Sequence, residues 1–268
     1  GFIINDPLIM MVAENTWWLS IADSDVILYA KGLASGFKLD VDIQEPNVNP
    51  LAVQGPKSFE LMEKIFGPSI LKVRIPETIL NNLNIYIDKI ITDKEKSKEL
   101  DIGDRLVGDV TQEFELEQKI MQETGWGQFL SNCVSKWIEI ETNSKITKFR
   151  ILKSWVVRQF ENEYNPTHWH SGHISGAGFL KVPSNLGKNI QEKKKNPYKG
   201  GNLQLIHGSR MFLSQSTMNI RPEVGDFYFF PHYLMHQVFP FKDSKEERRS
   251  ISFNAMIDDN IYDVYGGD

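Results

Sequence analysis

The chain has 268 residues, 30 of them basic and 35 acidic, for a formal charge of -5, and 41% are hydrophobic. That is enough for one large domain or a domain with a sizeable extension, and the absence of any long block of one charge leaves no electrostatic footprint for nucleic acid or an anionic membrane. The single cysteine, Cys133, excludes an internal disulfide framework and a thiolate-rich zinc or iron–sulfur site, and it fits a reducing compartment, so a cytoplasmic location is expected.

The opening "GFIINDPLIMMVAENTWW" has no basic leader, and Asp6 and Glu14 interrupt its apolar residues, so neither a secretory signal nor a membrane span is expected there. Residue 1 is Gly rather than Met, which leaves room for a native start upstream. Residues 1–55 read as an N-terminal extension of strands and loops, with the apolar run "VILYA" beside the turn-rich "QEPNVNP". From "PETILNNLNIYIDKIITD", residues 76–93, an amphipathic helix is expected. Ile79, Leu80, Leu83, Ile87, Ile90 and Ile91 recur at helical spacing behind an opening Pro76. A short helix is expected over Gln112 to Glu123. A longer one follows in "TGWGQFLSNCVSKWIEIE", whose stripe from Trp126 to Trp137 reads as core. Residues 56–142 are thus a mostly helical support region.

After that the text turns β-rich. "FRILKSWVVRQF", "GFLKVP", "NLQLIHG", "MNIRP", "DFYFFP", "HQVF" and "RRSISFNAMI" are short runs punctuated by Gly, Pro and Asn, and they indicate a sandwich or jelly roll over 143–268. Residues 56–268 would then form one structural domain. The lysine-rich "GKNIQEKKKNPYKGG", 187–201, reads as a connection between strands, with a mobile lid as the second reading.

Three of the six histidines crowd into "HWHSGH", residues 168–173. On a strand, positions i and i+2 share a face, so His168 and His170 would present two imidazoles to one point, with His236 a candidate third ligand from a later strand. An HxH pair alone is weak, since histidine is frequent in hydrogen-bonded loops. In "RRSISFN", Arg248, Ser250, Ser252 and Asn254 alternate with Arg249, Ile251 and Phe253. If that polar face points inward it needs a ligand. Arg248 then suits a carboxylate in a bidentate pair, with Ser250 adding a hydrogen bond; if it points outward, Arg248 is an ordinary surface residue. His207 and His232 read as turn-ordering residues, Asp226 as a structural turn residue, and Gly200 with Gly201 as a tight entry into a strand.

Together "YNPTHWHSGHISGAGFLKVP", "GGNLQL", "RPEVGDFYFFPHYLMHQVFPF" and "RRSISFNAMID" resemble the iron(II)- and 2-oxoglutarate-dependent dioxygenases, in particular a 2OG-Fe(II) oxygenase family common in marine bacteria and their phages. The resemblance covers roughly 150–258 and, more faintly, the stretch from about 70. It implies an α+β protein, a double-stranded β-helix (jelly-roll, cupin-like) with helices packed on one face. It implies the cofactors iron(II), 2-oxoglutarate and O2. By position His168 matches the first ligand, His236 the distal one, and Arg248 with Ser250 the motif that binds the far carboxylate of 2-oxoglutarate.

His170 stands where the family usually has Asp or Glu. It completes a three-histidine site, a carboxylate elsewhere replaces it, or the position is open; the first is favoured because imidazole suits iron(II). His173 is the weaker partner for His170. Tyr164, Asn165, Gln159 and Asn254 are the candidate pocket residues, and Trp155 is as well placed for core. The implied activity is hydroxylation of a small-molecule or peptide substrate with 2-oxoglutarate converted to succinate. Two readings stand against it: a cupin-like three-histidine metalloenzyme that does not use 2-oxoglutarate, and a noncatalytic β-sandwich binding or particle-associated protein.

Overall fold

A computed structural model describes residues 8–21, 26–45, 70–191, 193–208 and 216–262. The chain forms two compact units, 1–56 and 57–268. In the first, β1 (Leu8–Ala13) and β2 (Thr16–Ser20) make an antiparallel hairpin that sets Met10 opposite Trp18, and α1 (Ile27–Gly36) follows. The "VILYA" run, expected as a strand, therefore opens a helix instead. Five apolar residues carry no period of their own, and "KGLAS" after them continues the helical turn. Most of "QEPNVNP" lies outside the described residues.

The second unit begins with β3 (Leu71–Arg74), α2 (Glu77–Thr92) and α3 (Lys94–Leu100). A 3-10 turn at Gly103–Arg105 leads to β4 (Gln112–Glu115), α4 (Gln118–Glu123) and α5 (Trp126–Thr142). The expected helix over 112–123 is thus half strand. Gln112–Glu115 pairs with Arg158–Trp155, and only residues from Gln118 onward are helical. Cross-strand pairing overrides the helix propensity of a Gln/Glu-rich stretch.

The remaining strands are β5 (Phe149–Gln159), β6 (Asn165–His168), β7 (Ile174–Lys181), β8 (Leu203–Ile206), β9 (Thr217–Ile220), β10 (Asp226–Pro231), β11 (Met235–Val238) and β12 (Arg248–Ile257), with α6 (Asp259–Tyr262) at the end. All strand pairings among the described residues are antiparallel. One sheet has the order β3-β10-β7-β12-β5-β4 and the other β6-β11-β8-β9, and together they make the double-stranded β-helix with α2 and α5 on the outer face of the larger sheet.

Strand alternation divides the residues between two cores. In β10, Phe227 and Phe229 pack outward with Trp126 and Trp137 of α5, while Tyr228 and Phe230 pack inward with Leu203 and Leu205 of β8. Burying each such ring contributes roughly 1.5–3 kcal/mol. Gly176 of β7 makes room for this stack, since a Cβ there would lie 2.6 Å from the Phe227 ring and 2.7 Å from the Phe253 ring. Asp226 is a structural residue, paired with Lys72 and Arg74 of β3. Among the described residues no helix is long and apolar enough to cross a membrane.

β12 follows the same rule and decides what faces the interior. Ile251, Phe253, Ala255 and Ile257 join the outer core, and Arg249 reaches Asn84 and Asp88 of α2. Arg248, Ser250, Ser252 and Asn254 therefore turn inward and line a cavity of about 460 Å³ between the sheets.

Candidate metal centre

His168 closes β6 and His236 lies on β11, where the two are paired in register. Each imidazole is fixed by the chain just before it: His168 Nδ1 donates to the carbonyl of Pro166 at 2.7 Å, and His236 Nδ1 to that of Leu234 at 2.8 Å. A donated Nδ1–H leaves Nε2 with its lone pair free, the tautomer a metal needs.

His170 is not on the strand. β6 ends at His168, and His170 is placed by a loop whose backbone N–H donates to the carbonyl of His232 at 3.1 Å, while the His232 ring Nδ1 donates back to the His170 carbonyl at 2.8 Å. The expected strand periodicity is therefore not what brings His170 to the site. The His232 ring, expected only to order its own loop, braces the third imidazole, and its Nε2 accepts from the Tyr262 hydroxyl at 2.6 Å.

The three imidazoles converge, with one nitrogen from each within 4.8 Å of the others. His170 Nε2 and His236 Nε2 are 3.1 Å apart. Two nitrogens bound about 2.1 Å from one ion at a right angle would stand about 3 Å apart, so this spacing fits a shared cation. Burial pushes all three imidazoles below their ordinary values, His236 to about 4. Mutual repulsion, from His236 and His168 on His170 and from His168 on His236, adds to the effect at those two. They are neutral at pH 7, as ligands must be. Trp155 stands edge-on to His170, ring centroids 5.3 Å apart. His173 faces away, stacked on Tyr262 and accepting the N–H of Ile257, so it does not contribute to the triad.

Arg248 lies in the same cavity. It is 1% exposed, its Nε donates to the carbonyl of Gly201 at 3.0 Å, its Nη1 reaches Ser250 Oγ at 3.4 Å, and its guanidinium sits over the Phe179 ring. Nη2 is buried with no partner, and no carboxylate among the described residues pairs with this cation. Burial alone lowers its pKa to about 9. A buried guanidinium with an orphaned donor is a slot for an anion of the right shape. A cosubstrate carboxylate fits it, as the imidazole triad fits a divalent iron.

Of the other candidate residues, Asn165 and Asn254 line the cavity, Asn254 accepting from Ser175 Oγ at 2.9 Å. Gln159 and Tyr164 lie outside the lining. The Gln159 amide is tied to the carbonyls of Glu163 and Phe239, and Tyr164 is partly exposed in a bridge with Asp109. Sequence reading missed Glu113 and Lys153, which both line the cavity. The only trace of Glu113 was the alternation in "QEFE", four residues long and read as helix.

Residues 153–254 match the model of a family described as "Putative 2OG-Fe(II) oxygenase". A stretch of 74 residues is 42% identical to the dimethylsulfoniopropionate demethylase DmdA of Ruegeria pomeroyi, covering 28% of this chain and 20% of that protein, so the chain spans about a fifth of that relative's length. Among solved structures, the chain is similar to a prolyl-4-hydroxylase of Pseudomonas putida, with 12% identity over 73% of this chain and 97% of that one at a TM-score of 0.46. It is also similar to the viral collagen prolyl hydroxylase of Paramecium Bursaria Chlorella virus-1, with 13% identity over 70% and 96% of the two chains at a TM-score of 0.44. Over residues 153–254, then, the chain is similar to a family whose description names 2-oxoglutarate and iron(II).

Proposed function

We propose that the chain is an iron(II)- and 2-oxoglutarate-dependent dioxygenase that hydroxylates a small-molecule or peptide substrate in the cytoplasm while 2-oxoglutarate is decarboxylated to succinate. The observation that carries this reading is the orphaned Nη2 of Arg248 in the cavity that also holds the histidine triad. A cupin-like enzyme indifferent to 2-oxoglutarate gives no reason to bury an unpaired guanidinium there.

In this reading His168, His170 and His236 hold iron(II), and Arg248 with Ser250 holds the far carboxylate of 2-oxoglutarate. Bound iron supplies the activation of O2 that is coupled to loss of carbon dioxide from the cosubstrate. The chain does the rest. The Pro166 and Leu234 carbonyls keep two imidazoles in one tautomer and orientation, so no reorganisation is needed when the metal arrives. The Gly201 carbonyl and the Phe179 ring fix the plane of the guanidinium, so its free edge is presented in advance. The buried Phe179 ring keeps water from that face of it. Because the three imidazoles are neutral, the cosubstrate is the anion that balances charge at that end of the cavity.

The test is an anaerobic titration of 2-oxoglutarate into the iron(II)-loaded protein, watched for the weak visible charge-transfer band of the chelate. A band is expected in the wild type and is expected to be absent in His170→Ala and in Arg248→Ala. Iron binding without a band in the wild type would sink the proposal in favour of a cupin-like enzyme, and absence of both would favour a binding protein.

A further inference from the structure

Three buried side-chain atoms among the described residues have no hydrogen-bond partner: Arg248 Nη2, Glu113 Oε2 and Asn165 Oδ1. All three residues line one cavity. The cosubstrate accounts for the arginine, which is a donor. The other two are acceptors, and a carboxylate cannot satisfy them; they call for a ligand group that donates.

Glu113 is directed inward by the pairing of β4. Its neighbour Phe114 lies in the outer core, so by strand alternation Glu113 points to the opposite face, beside its register partner Val157. It is 1% exposed. Lys153 lines the same cavity but makes no ion pair with it, and Asp101 lies close enough to add negative charge. Burial first, then the Asp101 charge, pushes this carboxyl up to about 7. Trp155 and Val157 flank it with apolar surface. A carboxyl oxygen and an amide oxygen without partners share one cavity with an apolar wall, and among the described residues no cation pairs directly with the carboxylate, Lys153 acting on it only through longer-range charge that lowers its pKa.

On the reading of the cavity as an oxygenase site, we propose that Glu113 and Asn165 form the substrate subsite and receive a cationic nitrogen, an ammonium or guanidinium head, whose methylene stem lies along Trp155 and Val157. Such a head donates to both acceptors at once and keeps Glu113 ionised. The substrate is thereby an amine or guanidine, with Arg248 and Glu113 dividing the cavity into an anion pole and a cation pole. A neutral hydroxyl or amide donor would meet the acceptors without balancing the charge.

The test uses the full chain loaded with manganese(II) and 2-oxoglutarate, and reads paramagnetic relaxation of the methylene protons of two probes, n-butylammonium and the neutral n-butanol. Butylammonium is expected to be relaxed several-fold more strongly. In the isosteric Glu113→Gln variant that preference should be lost, with a smaller fall in Asn165→Ala. Relaxation of 2-oxoglutarate's own methylenes should be unchanged in both, which shows that the cavity is intact. Equal relaxation of the two probes in the wild type, or a preference that survives Glu113→Gln, would overturn the subsite. If manganese fails to relax 2-oxoglutarate itself in the wild type, the oxygenase reading fails, and the assignment of this subsite to its substrate falls with it.

Discussion

His168 and His236 are direct partners across β6 and β11, so one rung of the smaller sheet sets two of the three imidazoles. The third owes its place to a different device, the two-way hydrogen bonding between His170 and His232. The sheet thus supplies two imidazoles and a loop the third, and these parts should respond differently to substitution.

Removing the rung should disable metal binding. His236→Ala is expected to weaken iron(II) by at least about a hundredfold, more than loss of an outer partner would. His170→Asp restores the carboxylate that the family usually has at that position and should bind iron(II) within about tenfold of the wild type. Anaerobic calorimetric titration measures both. A variant His170→Asp that binds no iron would show that the loop fits only an imidazole.

Tyr262 would act on a bound metal through His232, whose Nε2 accepts from its hydroxyl. Deleting its hydroxyl in Tyr262→Phe frees the His232 ring, and with it the His170 backbone, so iron(II) affinity should fall about tenfold. The melting temperature should change by less than about 2 °C, because the ring and its stack on His173 remain. A lower melting temperature with unchanged iron affinity would mark the contact as structural only.

Arg248 is buried without a charge partner, a cost that a bound carboxylate would offset. Replacing it with Met removes a desolvated cation, so the ligand-free variant should be more stable by about 1–2 kcal/mol, despite losing the bond to Gly201. Addition of 2-oxoglutarate should raise the melting temperature of the wild type and leave Arg248→Met unmoved. Calorimetric scans with and without the cosubstrate decide this, and a destabilised variant would refute the argument.

Glu113 makes stability depend on pH in a defined sense. Its folded value, about 7, lies above the ordinary 4.5, so the folded state binds the proton more tightly than the unfolded chain does. That contribution is fully present below pH 4.5 and is lost as pH rises through 7, a swing of roughly 3 kcal/mol. Urea unfolding of wild type and Glu113→Gln should therefore show the variant gaining relative stability between pH 5 and pH 8. A difference independent of pH would mean that Glu113 is ionised throughout.

The strands of the β-helix were legible because alternation is written into them. "DFYFFP" and "RRSISFNAMI" match β10 and β12 residue for residue, and period two puts Arg248, Ser250, Ser252 and Asn254 on one face, though the sequence left open whether that face turns inward. The helices of the support region were legible from 3.6-residue spacing, as Leu83, Ile87 and Ile90 show by their burial. What failed was short or non-local. "VILYA" and "QEFE" hold too few residues for a period to emerge, and β4 exists because β5 pairs with it. His170 was drawn toward the right partners for the wrong local reason, since its position depends on His232, 62 residues further along the chain. Glu113 was invisible because nothing in four residues says that a strand will turn one carboxyl into a cavity assembled from the other end of the chain.

Consecutive arginines on β12 meet opposite fates. Arg249 is enclosed by Glu247 and Asp88, whereas Arg248 is enclosed by nothing of its own charge complement. That leaves the cavity with one buried donor unmet among the described residues. If 2-oxoglutarate is the anion that Arg248 takes, its binding would stabilise the folded chain, and where degradation samples the opened form the lifetime of the protein would follow the supply of that metabolite.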